Sequence, residues 1–124
     1  MPTLDLDDNK AMYQIRAYAP GAITINDTVY HNSLIISPQK LIENWAPQTI
    51  GDLTAESFSA VIELKPAILL IGTGSEHVFL ATDIYGHLIN LGIGVEVMST
   101  GAACRTYNAL SAEDRNVVAA LVIK

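Results

Sequence analysis

The sequence predicts an α/β fold: a three-layer single domain with a mixed β-sheet, antiparallel N-terminal strands and a C-terminal βαβαβ segment. Three observations carry this. The first third of the 124 residues alternates short β-prone runs with tight turns. From residue 54 onward, helical apolar stripes alternate with unbroken apolar runs, the pattern of strands covered on both faces. Half of the residues are hydrophobic and only 16% are charged, enough to bury a core without disulfide or metal staples.

The elements follow in chain order. Tyr13, Ile15 and Tyr18 lie in an imperfectly alternating β-rich run, and Pro20-Gly21 reads as a turn. Ala22-Ile23-Thr24-Ile25 and Thr28-Val29-Tyr30 flank Asn26-Asp27, two residues that tolerate positive φ, which is a hairpin signal. His31-Asn32 turns the chain into Ser33-Leu34-Ile35-Ile36-Ser37, and Pro38 ends that strand. Thr54 is placed to cap a helix over residues 55–64 with Phe58, Val61, Ile62 and Leu64 as its apolar stripe, and Pro66 stops it. Ala67-Ile68-Leu69-Leu70-Ile71 does not alternate and reads as a buried strand. A second helix is expected over residues 81–91, with Ile84, Leu88 and Leu91 inward and Gly92 as C-cap. Residues 93–98 read as a second buried strand, Thr100 as the cap of a third helix over 101–110, and residues 116–123 as a last strand. Residues 68–71, 95–97 and 117–122 should then share one sheet. Residues 1–12 are expected to be a flexible N-terminus and 13–124 the domain, with no internal repeat.

Charge and composition exclude several function classes. The net charge is −6, and the seven basic residues are scattered, so nucleic acid is not an expected partner. The N-terminus lacks the basic start and apolar run of a signal peptide, and it lacks an Arg-rich presequence. The longest apolar runs fall far short of the roughly 20 residues of a bilayer span, so membrane insertion is not expected. One cysteine, Cys104, leaves no internal disulfide and suits a reducing compartment. The cytoplasm is the expected location.

The chemistry-bearing residues each have two readings. Gly72-Thr73-Gly74-Ser75 follows a buried strand and could offer backbone N–H groups to an anion. It lacks the Gly-Lys-Ser/Thr of a P-loop and the third glycine of a dinucleotide fingerprint, so a tight turn is the competing reading and no cofactor is expected. Cys104 lies near the start of a helix, beside Arg105, where a thiol pKa falls. No histidine stands close in sequence as its base, and Ala102, Ala103 and Cys104 also read as small residues for close helix packing. Glu96 sits within an apolar strand, so it points to an edge or cleft or accepts from donors such as Arg105 or Arg115. A cluster of donors is the expected surrounding. Thr100, Cys104 and Asn108 recur at helical spacing and share a face, either lining a cleft with the glycine loop or bonding adjacent loops. The histidines have no metal-ligand spacing, so no metal site is expected. Trp45 reads as a loop anchor or a contact residue.

The block from Gly92-Ile93-Gly94-Val95-Glu96-Val97-Met98 through Ser99-Thr100-Gly101-Ala102-Ala103-Cys104-Arg105-Thr106-Tyr107-Asn108 has a familiar order. With Tyr18, Gly21 and Ile23-Thr24-Ile25-Asn26, Trp45, Glu56-Ser57-Phe58, Pro66 and Gly72-Thr73-Gly74, it resembles an uncharacterised-domain family. The family's best-known members are mitochondrial complex I assembly factor 3 and the adipogenesis-associated Mth-domain protein. The family usually has Asp where this chain has Ser99. The resemblance implies a three-layer α/β fold, a bacterial member, and a non-catalytic assembly or protein-interaction module related to respiratory complexes. Expected partners are proteins, a second copy of the chain included. The rival reading is a small-molecule-binding protein or enzyme. Its cleft would draw on Gly72, Thr73, Gly74, Ser75, Glu96, Thr100, Cys104, Arg105 and Asn108, with none assigned as catalytic. An exposed apolar patch would favour the first reading, and a deep pocket with convergent polar groups the second.

Overall fold

Alternation along each strand sorts the apolar side chains into two cores, one on each face of a central sheet. The computed structural model describes residues 11–124. A three-stranded antiparallel sheet comes first, in the order β1 (Ile15–Ala19), β2 (Ala22–Ile25), β3 (Thr28–Tyr30). A five-stranded mixed sheet follows, built from β4 (Leu34–Ile36), β5 (Leu41–Ile42), β6 (Ile68–Thr73), β7 (Gly94–Met98) and β8 (Val117–Val122). Its order is β5-β4-β8-β6-β7, with β8 antiparallel to β4 and β6 parallel to both β8 and β7. The helices are α1 (Ser59–Leu64), α2 (Thr82–Asn90) and α3 (Thr100–Ala112).

The last strand to be made therefore sits in the middle of the sheet, and all six of its residues are buried. Val117, Ala119 and Leu121 face one core with Leu70, Ala103, Cys104, Tyr107 and the small sheet's Ile15, Ile23 and Ile25. Val118, Ala120 and Val122 face the other with Leu69, Ile71, Trp45, Phe58, Val61 and Leu88. This is the three-layer arrangement: α3 and the small sheet on one side, α1 and α2 on the other. The strands expected at 68–71, 95–97 and 117–122 do share this sheet. Asn26 takes φ of 53° in the hairpin, as its turn chemistry requires.

Several local expectations are corrected. Residues 55–58 form a 3₁₀ turn that leads into α1, with Thr54 N–H donating to Ser57 Oγ at 3.0 Å. The two-residue strand β5 has no pattern long enough to reveal it. Strand β7 is an edge strand, half open to solvent, because nothing pairs beyond it. Leu91 is 60% exposed, since it falls past the last turn of α2 where Gly92 redirects the chain. The cap of α3 is Ser99, whose Oγ accepts from Ala102 N–H at 3.3 Å, and Thr100 is the first helical residue. Serine supplies the acceptor that aspartate would, without its charge. Trp45 is buried, donates from Nε1 to Ser57 O at 2.9 Å, and packs at 5.7 Å from the Phe58 ring. Residues 1–10 of the expected flexible N-terminus lie outside the described residues, while the Met12 amide is bound to Pro38 O at 2.7 Å.

Candidate functional site

The residues singled out as one cleft fall into three places. Gly72 and Gly74 meet Thr100 in a closed junction between β6, β8 and α3. Thr100 Oγ1 accepts from Gly74 N–H at 2.8 Å and donates to Val122 O at 2.5 Å, while Thr100 N–H donates to Gly74 O at 2.8 Å. A Cβ on Gly72 would lie 2.8 Å from Thr100 Oγ1, so the absent side chain is what lets α3 start against the sheet. Thr73 Oγ1 accepts from Val78 N–H at 3.1 Å and donates to Glu76 O at 2.6 Å, which folds the loop onto itself. Ser75 is exposed beside this junction. The Gly74 N–H, the loop group an anion would need at this junction, is thus engaged within the fold.

Glu96 stands apart. It pairs in register with Leu70 but lies on the outermost strand, exposed to water. The expected donor cluster around it is not formed: among the described residues the ion pair is Arg115 with Glu113 at 3.7 Å. A carboxylate at a sheet edge is solvated, and it also discourages edge-to-edge pairing.

Cys104, Arg105 and Asn108 form the third group, with strand β1. Positions 100 to 108 span about 12 Å of helix, so one helical face serves two different neighbours. Asn108 places its amide against β1, with Oδ1 accepting from Ile15 N–H at 3.0 Å and Nδ2 donating to Ile15 O at 2.6 Å. Tyr107 is fully buried, and its hydroxyl donates to Tyr13 O at 2.7 Å. Between these anchors and the first turn of α3 lies a groove of about 190 Å³ lined by Ile15, Arg16, Ala17, Tyr18, Gly101, Cys104, Arg105 and Asn108. Tyr18 and Arg16 line this groove beside the residues of α3. Their signal in the sequence was weak, since both belong to an ordinary β-rich run. A second cavity, about 540 Å³, is lined in part by Lys40, Leu64, Asp114 and Arg115 and takes in none of the expected site residues.

The chemistry of Cys104 follows from burial. Desolvation pushes its thiol from 9.0 up to about 12, and Arg105 offsets only part of this. The thiol is neutral at physiological pH and makes no ready nucleophile. In the native protein Cys104 should react with iodoacetamide at pH 8 on the order of a thousandfold more slowly than in the unfolded chain. Comparable rates in the two states would overturn the burial argument. The sign of the stability effect is also set. The folded state holds this proton more tightly, so the contribution is complete below about pH 9 and is lost as pH climbs toward about 12. Burial of the Tyr107 hydroxyl acts in the same direction. Alkaline denaturation followed by circular dichroism should show this falling limb.

Comparison with known proteins gives the site its context. Residues 15–122 match the model of a family described as protein of unknown function (DUF498/DUF598). A Danio rerio protein named NADH dehydrogenase (ubiquinone) 1 alpha subcomplex assembly factor 3 is 34% identical over 87% of this chain. The chain spans only 63% of that relative's length. A Francisella tularensis protein named 13 kDa major membrane protein is 29% identical, over 94% of this chain and 96% of its own. The crystal structure of a Bordetella parapertussis protein, 36% identical, superposes with a TM-score of 0.86 over 92% of this chain and 98% of that one. Among the described residues, no helix is long and apolar enough to cross a membrane.

Proposed function

Since the chain belongs to the family described as protein of unknown function (DUF498/DUF598), we propose that it is a non-catalytic module that holds protein partners during the assembly of a respiratory complex. The observation that carries this reading is the exposure of large apolar side chains at both ends of α2. Phe79 is 89% exposed in the loop before the helix, next to Val78, and Ile89 and Leu91 are exposed at its far end. Isolated exposed apolar residues need no explanation, but four bracketing one nine-residue helix suit an interaction face. The names of assembly-factor relatives support the respiratory connection. The candidate catalytic groups point the same way: Cys104 is protonated, Glu96 is solvated, and the glycine loop is closed by Thr100. A cytoplasmic location belongs to this proposal. Attachment through a partner reconciles it with the relative called a membrane protein.

Phe79→Ser and Leu91→Asp test the reading. Surface changes of this kind should alter stability by no more than about 0.5 kcal/mol. In cells lacking the wild-type gene, deletion should reduce the amount of assembled NADH dehydrogenase on native gels, and neither variant should restore it. Full assembly in the deletion strain would sink the proposal.

A further inference from the structure

We propose that the groove between β1 and α3 is a binding site for a carboxylate group, held by the guanidinium groups of Arg16 and Arg105 and the hydroxyl of Tyr18. The inference goes beyond the partner-holding reading and does not need the apolar face at α2. Its first support is a local reversal of charge. The chain carries thirteen acidic and seven basic residues, yet two arginines and no Asp or Glu line this groove. Both arginines are exposed, and neither forms an ion pair among the described residues. Two guanidinium groups on one small concavity raise the local potential, and among the described residues no carboxylate lines the groove to offset it.

The second support is the Tyr18 hydroxyl, which is buried and, among the described residues, has no hydrogen-bond partner. An unsatisfied buried hydroxyl is costly, and a ligand acceptor would remove the cost. Burial and the neighbouring Cys104 raise the Tyr18 pKa, so the group is a neutral donor. Cys104 is also neutral, and the Asn108 amide is already committed to Ile15. The side-chain groups left free in the groove are therefore all able to donate.

Backbone features place the donors together. Strand β1 carries a bulge between Ile15 and Ala17, so Arg16 is the extra residue against β2. Bulges often re-aim a side chain beside a site. Gly101 has no side chain to obstruct the groove: a Cβ there would lie 3.3 Å from the Tyr18 ring and 3.6 Å from an Arg105 guanidinium nitrogen. The volume of about 190 Å³ admits a carboxylate with a short stem and is too small for a nucleotide. A carboxylate has two oxygens that accept from a planar fork, and its remaining lone pairs suit the second guanidinium and the hydroxyl.

The experiment is a ¹⁵N NMR titration of the full chain at constant ionic strength. The probes are acetate, succinate, an acidic peptide with an amidated C-terminus, a neutral peptide with a free C-terminus, and inorganic phosphate. Amide shifts should centre on Tyr18, Gly101 and Arg105. Acetate and succinate report a free small acid, the first peptide a side-chain carboxylate, and the second a terminal one. Arg16→Gln and Arg105→Gln should each weaken binding about tenfold, the loss of one charged hydrogen-bond partner. Tyr18→Phe should weaken binding while leaving the unliganded protein at least as stable, an outcome that a purely structural hydroxyl would not give. Three results would overturn the proposal: no shifts with any carboxylate, shifts unaffected by either arginine substitution, or phosphate binding as tightly as the best carboxylate.

Discussion

Replacing Gly74 by valine is expected to cost about 2–5 kcal/mol, a large share of the roughly 5–15 kcal/mol that keeps a domain folded. Two effects add. Gly74 has φ of 102°, a conformation that a β-branched residue adopts only under strain. A Cβ built there would also collide with the carbonyl oxygen of Lys124, a backbone atom just beyond β8. Urea denaturation monitored by circular dichroism measures the loss. If the Gly74→Val protein unfolds within about 1 kcal/mol of the wild type, the loop is not packed as described.

Thr100→Val should be nearly as damaging, with an expected loss of about 2–4 kcal/mol. The substitution preserves shape and removes only the hydroxyl. That hydroxyl serves Gly74 N–H and Val122 O at once, and Thr100 is fully buried, so water does not replace it. Each orphaned group carries a desolvation penalty of about 1–3 kcal/mol. Thr100→Ser keeps both bonds and gives up one methyl, for a cost of about 1 kcal/mol. The ratio of the two losses is the informative quantity. If serine and valine were equally harmful, packing of the methyl would be the cause and the hydrogen bonds incidental. A ligand-binding role for this hydroxyl makes a different forecast: valine would spare stability and abolish binding, and serine would keep both.

Much of the scaffold could be read from the chain because its signals are local. The continuous apolar runs that became β6 and β8, the Asn26-Asp27 hairpin and the polar-capped α3 each depend on residues within a few positions of one another. Periodicity decides such elements before any tertiary contact forms. The family resemblance of the block from Gly92 to Asn108 is legible for the same reason.

What the sequence could not determine is how distant residues meet. A threonine at the start of a helix reads as a cap, yet Thr100 bonds Gly74, 26 residues away, and leaves the capping to Ser99. Asn108 reads as a polar helix position, but its partner is Ile15, 93 residues away. The strand holding Glu96 resembles its buried neighbour β6 in composition, and only the sheet order put it at the edge with its carboxylate in water. Cys104 has the local setting of an activated thiol, and the packing of β1 and the sheet against α3 made it an inert one. Local sequence sets backbone conformation through sterics and periodicity. The dielectric around a side chain and the partner it bonds depend on chain crossings that sterics at one position do not encode.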